Sequence, residues 1–368
     1  MKQLLLFFLL GFLLGCQGTT NEIYQIPLGD AIQHSAQLQA EECIDSIRYI
    51  QLQTVDSGFI GNISKIVPWK DYLYISDWED HLYLFKQSGE FLCTIGSVGR
   101  GPGEYIGVGD LLVDPENGDL YVMSMNKMLV YGLDGQLKKE QTVDPRLQVG
   151  TFASSGHPVF ISPVQQSKAD TFPLLYVCDR EGRIGQTVYG KNPHVALPMS
   201  FFNWIYEKEG EIYFKEEFSD TICRMGSELT PRPYAVVDLG GYAFKPQHFD
   251  FQYENDWENH YRLLGAWDFD QTMLLKVQQG LYGNTYTSFI YSKSTNKVGT
   301  LGDSQSQEGF VLDHVLYTPV SGQGKQLICW ISSASLKDNE RITGKELGDI
   351  AKDISLDANP VIAVLYMK

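Results

Sequence analysis

Two stretches of the chain combine residue types that could bind or transform a ligand. In Gly99-Arg100-Gly101-Pro102-Gly103-Glu104-Tyr105, glycines alternate around an arginine and run into a carboxylate and a phenol. Closely spaced glycines let backbone N–H groups converge on an anion, and Arg100 adds charge. Arg100, Gly101, Gly103, Glu104 and Tyr105 are therefore candidate ligand-binding residues. The plainer alternative is a tight crossover in which Gly and Pro set the turn and Glu104 or Arg100 pairs locally, since such clusters usually mark turns. The second stretch, Asp250–Arg262, carries Asp250, Glu254, Asp256, Trp257, Glu258, His260, Tyr261 and Arg262. Aromatic platforms beside carboxylates suit stacking on sugars, and paired carboxylates can hydrolyse glycosides. Asp256, Trp257, His260 and Arg262 are the candidates here. Their plainer counterpart is a solvated polar helix pinned down by its aromatics, because charge runs are most often solvated faces.

Elsewhere the chemistry is thinner. His34, His81, His157, His194, His248, His260 and His314 are scattered without an HxxxH or HxxE pattern. Cys43, Cys93, Cys178, Cys223 and Cys329 show no CxxC and no zinc spacing, and they read as small core residues. Asp77-Trp78-Glu79-Asp80 is acidic but sits in a turn, with calcium the weaker reading beside solvation. There is no GxSxG elbow and no P-loop. No catalytic residue, metal or cofactor is assigned. The net charge of −16, with no cluster of Lys and Arg, argues against a nucleic-acid partner.

The chain opens with Met1-Lys2-Gln3, then an apolar run from Leu4 to Leu14, then Gly15-Cys16. The run matches a secretory signal and is too short to span a bilayer. Leu13-Leu14-Gly15-Cys16 resembles the lipobox of bacterial lipoproteins, which makes Cys16 the expected lipid-attachment residue. The expected organisation is a signal peptide over 1–15, a lipid-anchored tether over 16–43 and a folded domain over 44–368.

What would hold the candidate residues in place is a repeat. Residues 71–96 and 118–143 share one grammar: an apolar strand, a polar turn, a second strand, a turn closed by Ser88-Gly89 or Asp134-Gly135, and a third strand. The offset of about 46 residues suits a four-stranded propeller blade. Weaker copies follow at Leu174–Val188, Glu211–Met225, Met273–Ser292 and Phe310–Ile331. High Tyr and Phe content also favours strands. The alternating segment Ile44–Leu52 and the apolar segment Val361–Tyr366 are expected to share one blade and close the ring. Residues 245–263 read as an insertion with a helical turn. Leu347, Ile350, Ala351 and Ile354 predict a short amphipathic helix near the C-terminus. The predicted fold class is all-β: a six-bladed β-propeller of four-stranded blades, with one short helical insertion and a short C-terminal helix. A β-sandwich with a second domain is the alternative.

The segment Gly99–Tyr105, directly after Ile95-Gly96, resembles the GxGPGEY signature of six-bladed β-propeller lipoproteins abundant in Bacteroidetes, an NHL/TolB-like architecture. Ser219-Asp220-Thr221-Ile222, Leu229-Thr230-Pro231-Arg232 and Ala358-Asn359-Pro360-Val361-Ile362 add to the likeness. The resemblance implies a propeller and an envelope location, on the periplasmic or surface face of an outer membrane, and it carries over no catalytic residue. The expected function is a binding module for a glycan or a protein at one propeller face. The alternative is a hydrolase or lyase acting on a carbohydrate or lactone with carboxylates gathered at the central channel.

Overall fold

The computed structural model describes residues 23–163, 167–194, 204–216, 218–248, 250–281, 285–302, 309–337 and 339–368. Cys16 and the signal segment 1–15 lie outside the described residues. The chain forms a six-bladed β-propeller, one sheet per blade. Blade 1 runs Ile63–Trp69, Tyr72–Asp77, Leu82–Lys86 and Phe91–Thr94, from the innermost strand outward. Blade 2 starts with Asp110–Val113, blade 3 with Val149–Phe152, blade 4 with Trp204–Lys208 and blade 5 with Tyr261–Asp268. Blade 6 starts with Val315–Gln323 and Gln326–Ile331. Its third strand is the C-terminal Val361–Met367, and its fourth is Ile44–Gln51, paired antiparallel as expected.

The strand sequences follow from this stacking. Each blade lies between two others, so its middle strands are buried on both faces and read as continuous apolar runs rather than alternating ones. Leu82 to Phe85 are all buried, as are Leu120 to Ser124. Every junction between neighbouring blades holds its own apolar cluster. Hairpin turns close where the chain permits positive φ: Gly89 at 92° and Gly135 at 72°. A side chain at Gly89 would also strike the Gln51 carbonyl of the neighbouring blade.

The predicted C-terminal helix is Lys345–Asp353. It buries Leu347 and Ala351 against the blade 5–blade 6 cluster. The insertion contains a 3₁₀ helix, Phe251–Asn259, begun by Asp250, whose carboxylate accepts the Gln252 N–H at 3.1 Å. One expectation needs correcting. The segment taken as a tether over 16–43 is part of the folded body from Tyr24 onward. Tyr24–Ile26 joins blade 4 as a fifth, parallel strand, and Ala36–Leu38 does the same on blade 5. Both cover outer edges whose backbone groups would otherwise be unpaired. Ile26, Leu28 and Ala31 are buried in the blade 4–blade 5 junction.

Candidate functional site

All six innermost strands surround one central cavity of about 400 Å³. Its aromatic lining is Trp69 from blade 1, Phe152 from blade 3, Tyr206 from blade 4 and Trp267 from blade 5. Each tryptophan is seated on a glycine that leaves room for it. A Cβ at Gly118 would lie 2.5 Å from the Trp69 ring, and one at Gly322 would lie 2.5 Å from the Trp267 ring. The Trp69 indole N–H donates to the Pro115 carbonyl at 3.1 Å, which fixes its orientation. Polar groups on the same wall include Thr151, Ser154, Glu207, Ser321 and Gln323. A concavity lined by aromatic rings and polar groups together has the character of a small-molecule site.

Charged groups hold the inner strands in register. Asp110 is buried at the start of blade 2's inner strand. It accepts the Leu111 N–H at 2.8 Å and the Gly150 N–H of blade 3 at 2.9 Å, and it pairs with the Lys65 ammonium of blade 1. One carboxylate thus ties three blades. Among the described residues, the charged side chains lining the cavity are Lys65 and Glu207, and Glu207 accepts the Gly210 N–H at 2.6 Å. Burial, with the charge of Asp268, holds the Tyr206 phenol well above its ordinary pKa, so it is a neutral donor. No group of three or more His, Cys, Asp or Glu is placed to hold a metal ion among the described residues.

The residues singled out in the sequence lie elsewhere. In the GxGPGEY loop, the Glu104 carboxylate accepts the Gly101 N–H at 2.7 Å. A Cβ at Gly99 would lie 2.0 Å from that same carboxylate. The glycines therefore close around the chain's own anion, not an empty cradle. The Gly103 N–H donates to Glu140 at 2.7 Å, and Tyr131 donates its hydroxyl to the Gly103 carbonyl at 2.9 Å. Tyr105 is buried and donates to the Ile95 carbonyl at 3.1 Å. Arg100 is exposed. The motif is thus a blade 1–blade 2 clasp, the plainer of its two readings.

The insertion differs from the expectation in a similar way. Trp257 is only 4% exposed, and its indole donates to the His248 carbonyl at 2.6 Å. It anchors the 3₁₀ helix and offers no free face to a sugar, whereas Phe251 and Tyr253 are exposed. His260 is buried, with Nδ1 2.9 Å from the Asp256 carbonyl and 3.7 Å from the Asp256 carboxylate. Its ring centroid is 3.9 Å from that of His248. Arg262 lies on blade 5's inner strand, paired with Gln278. The structure does not bring these residues into the central cavity. The lining residues Trp69 and Trp267 escaped the sequence reading because they stand at the last and the next-to-last position of a first strand, ahead of the better-matched part of the repeat. The usable signal was positional: once blades are assigned, a tryptophan at the end of an innermost strand lies beside the channel.

The histidine pair carries a pH prediction. Burial and the neighbouring His260 lower the His248 pKa from its ordinary value, with Asp256 opposing and Lys245 adding to the effect. The Lys245 N–H donates to His248 Nδ1 at 3.2 Å, which requires that nitrogen unprotonated. A group whose folded pKa is depressed adds stability above its unfolded pKa, about 6.5, and loses it as the pH falls toward the folded value. Protection of Phe251–Asn259 against hydrogen exchange, after allowing for the slower intrinsic exchange of amides in acid, should therefore fall as the pH drops below about 6.5. His248→Asn, which keeps an acceptor but cannot titrate, should flatten the response. An unchanged pH profile in that variant would refute the assignment.

The fold and its channel define a six-bladed propeller with an aromatic central cavity. Residues 23–366 match the family described as a domain of unknown function (DUF4934), and the chain belongs to that family. No curated protein matches it. Among solved structures it is similar to a Bacteroides fragilis protein assigned as exported, at 17% identity and a TM-score of 0.71, covering 94% of this chain and 99% of that one. It is also similar to a member of the DUF4221 family from Bacteroides vulgatus, at 10% identity and a TM-score of 0.52, covering 88% and 97%. A virginiamycin B lyase from Staphylococcus aureus matches at 11% identity and a TM-score of 0.41, covering 88% and 99%.

Proposed function

We propose that this protein is a cell-envelope lipoprotein, held at a membrane through Cys16, whose propeller binds a small glycan in its central channel. The observation that carries the reading is the cavity of about 400 Å³, lined by Trp69 and Trp267 together with the hydroxyl- and amide-bearing Thr151, Ser154 and Gln323. The apolar run ending in Gly15-Cys16 supports the anchor. The assignment of the Bacteroides fragilis fold relative as exported agrees with a location outside the cytoplasm. Tyr24–Ile26 runs parallel to Arg232–Val237, so the chain reaches blade 4 from the side of the turns that join third to fourth strands. From Cys16 to Ile23 an extended chain spans at most about 25 Å, which holds that face near the bilayer and leaves the blade-to-blade crossovers facing away.

Purified protein on a glycan array should give signals that fall about tenfold in Trp267→Ala and in Gln323→Ala, the latter altering an exposed side chain outside the core. No signal above background from folded protein would remove the sugar reading. Labelling with a radioactive fatty acid should mark the wild type and not Cys16→Ser, and equal labelling would remove the anchor. A protein partner is the second reading. Phe59, Trp78, Ile106 and Met125 are exposed on the crossover face of blades 1 and 2, where single apolar residues would be ordinary but a group suggests docking.

A further inference from the structure

The central cavity sits toward the far ends of the inner strands. Ile63, Asp110, Val149, Trp204, Tyr261 and Val315 open those strands on the crossover side, and none of them lines it. Nor does any described residue of the blade-to-blade crossovers. The lining is drawn instead from closing residues such as Trp69, Phe152 and Gln323, and it runs on into the turns to the second strands at Pro115 and Ser154. In the turn after Trp69, the exposed Lys70 sets its ammonium 4.1 Å from the centre of the Trp69 ring. That ring therefore stands at the rim, on the hairpin-turn side of the molecule.

Strands alternate in direction across a blade, so the turns joining first to second strands share a face with those joining third to fourth. Tyr24–Ile26 enters blade 4 from that same face, parallel to Arg232–Val237. The mouth of the cavity and the N-terminal tether are thus on one side. At most about 25 Å of extended chain separates Ile23 from Cys16. The crossovers lie farther from the anchor by the length of an inner strand, about 23 Å for the seven residues of Ile63–Trp69. A cavity facing its own bilayer meets first what that bilayer carries. Confinement to one surface raises the effective concentration of a partner to the order of millimolar, so ring stacking and a few hydroxyl contacts suffice for occupancy. A volume of about 400 Å³ is near the lower end of the roughly 300–1,000 Å³ of small-molecule sites, which suits a head group of one or two rings.

We infer that the channel takes its glycan from a glycolipid of the membrane in which the protein is anchored, the head group entering through the hairpin-turn face. The inference rests on the anchor and the channel site proposed above, and it adds the source of the glycan and its direction of entry.

The lipidated full chain in phosphatidylcholine vesicles tests it by two measurements. A donor dye on Lys70→Cys should transfer energy to a rhodamine-labelled lipid more efficiently than one on Met125→Cys, with the signal of the unsubstituted chain subtracted. Both are exposed turn positions, on opposite faces of neighbouring blades. Equal or reversed transfer would overturn entry from the membrane side. In the second measurement, the glycan of strongest array signal is coupled to phosphatidylethanolamine in the same vesicles. It should slow hydrogen exchange in Ile63–Trp69 at about one-tenth of the total amount required of the same glycan in solution. An equal requirement would assign a soluble glycan and overturn the inference while leaving the channel site standing. Absence of any array signal, or equal fatty-acid labelling of Cys16→Ser, would instead remove the proposed function and this inference with it.

Discussion

Replacing Asp268 with alanine is expected to cost about 3–5 kcal/mol of folding stability, read as a lowered midpoint in urea or guanidinium unfolding. Asp268 ends the inner strand of blade 5, and its carboxylate is 1% exposed. It binds two ammonium groups at once: Lys208 from blade 4 at 2.6 Å and Lys293 from the third-to-fourth strand turn of blade 5, also at 2.6 Å. Those side chains are themselves 9% and 10% exposed. Removing the carboxylate would leave two buried cations facing each other without a counter-charge, and it is this stranding that costs most, not the loss of attraction. Lys293 already shows the strain: burial pulls its pKa below the ordinary lysine value, and Asp268 holds it up. Lys293 also donates to the Phe269 carbonyl at 2.5 Å and lies 5.2 Å over the Tyr24 ring, so the damage should reach the N-terminal strand. The triple variant Lys208→Met, Asp268→Leu, Lys293→Met should recover most of the loss, because apolar residues of similar size need no counter-charge. A loss below about 1 kcal/mol in Asp268→Ala would contradict this account.

Asn359→Ala is expected to destabilise the ring by about 3 kcal/mol, and Asn359→Asp by at least as much. Asn359 is completely buried just before the C-terminal strand. Its carbonyl accepts the Ile60 N–H at 2.8 Å, while its amide donates to the Gln53 carbonyl at 2.9 Å and the Gly58 carbonyl at 2.7 Å. Its own N–H is bound to the Thr54 hydroxyl at 2.8 Å. The side chain therefore satisfies the loop that leads from the N-terminal strand of blade 6 into blade 1, at the seam where the two ends of the chain meet. Alanine would leave the Ile60 donor and the Gly58 acceptor buried without partners, each costing about 1–3 kcal/mol before relaxation, and would free the more exposed Gln53 carbonyl. Aspartate could still accept from Ile60 but could not donate to the two carbonyls, and it would bring a buried charge. Thermal unfolding together with proteolysis of Val361–Met367 would read the effect. A melting temperature within about 1 °C of wild type would refute the role.

Much of the fold was legible in the chain because a propeller repeats one burial problem. Leu82–Phe85 and Met128–Tyr131 are apolar at successive positions because a blade has neighbours on both faces, and Gly89 and Gly135 punctuate them where positive φ is needed. The closing of the ring was also readable, since an unpaired apolar strand at each end of a repeat protein requires a partner. Asn359 was visible as part of the Ala358–Ile362 motif, although its hydrogen bonds were not.

Other features had no local signature. Tyr24–Ile26 and Ala36–Leu38 are strands only because an outer blade edge offers backbone groups, and three residues are too few to show a period. The sequence alone determined the class of repeat, the blade punctuation and the presence of two loops rich in binding chemistry. Only the tertiary structure decided how that chemistry is used. It turned Glu104 back onto its own glycines, set Trp257 into the body as an anchor, and brought Trp69 and Trp267 to one cavity from blades far apart in the chain. Residue type sets what a side chain can bind, while closure of the ring sets what it can reach.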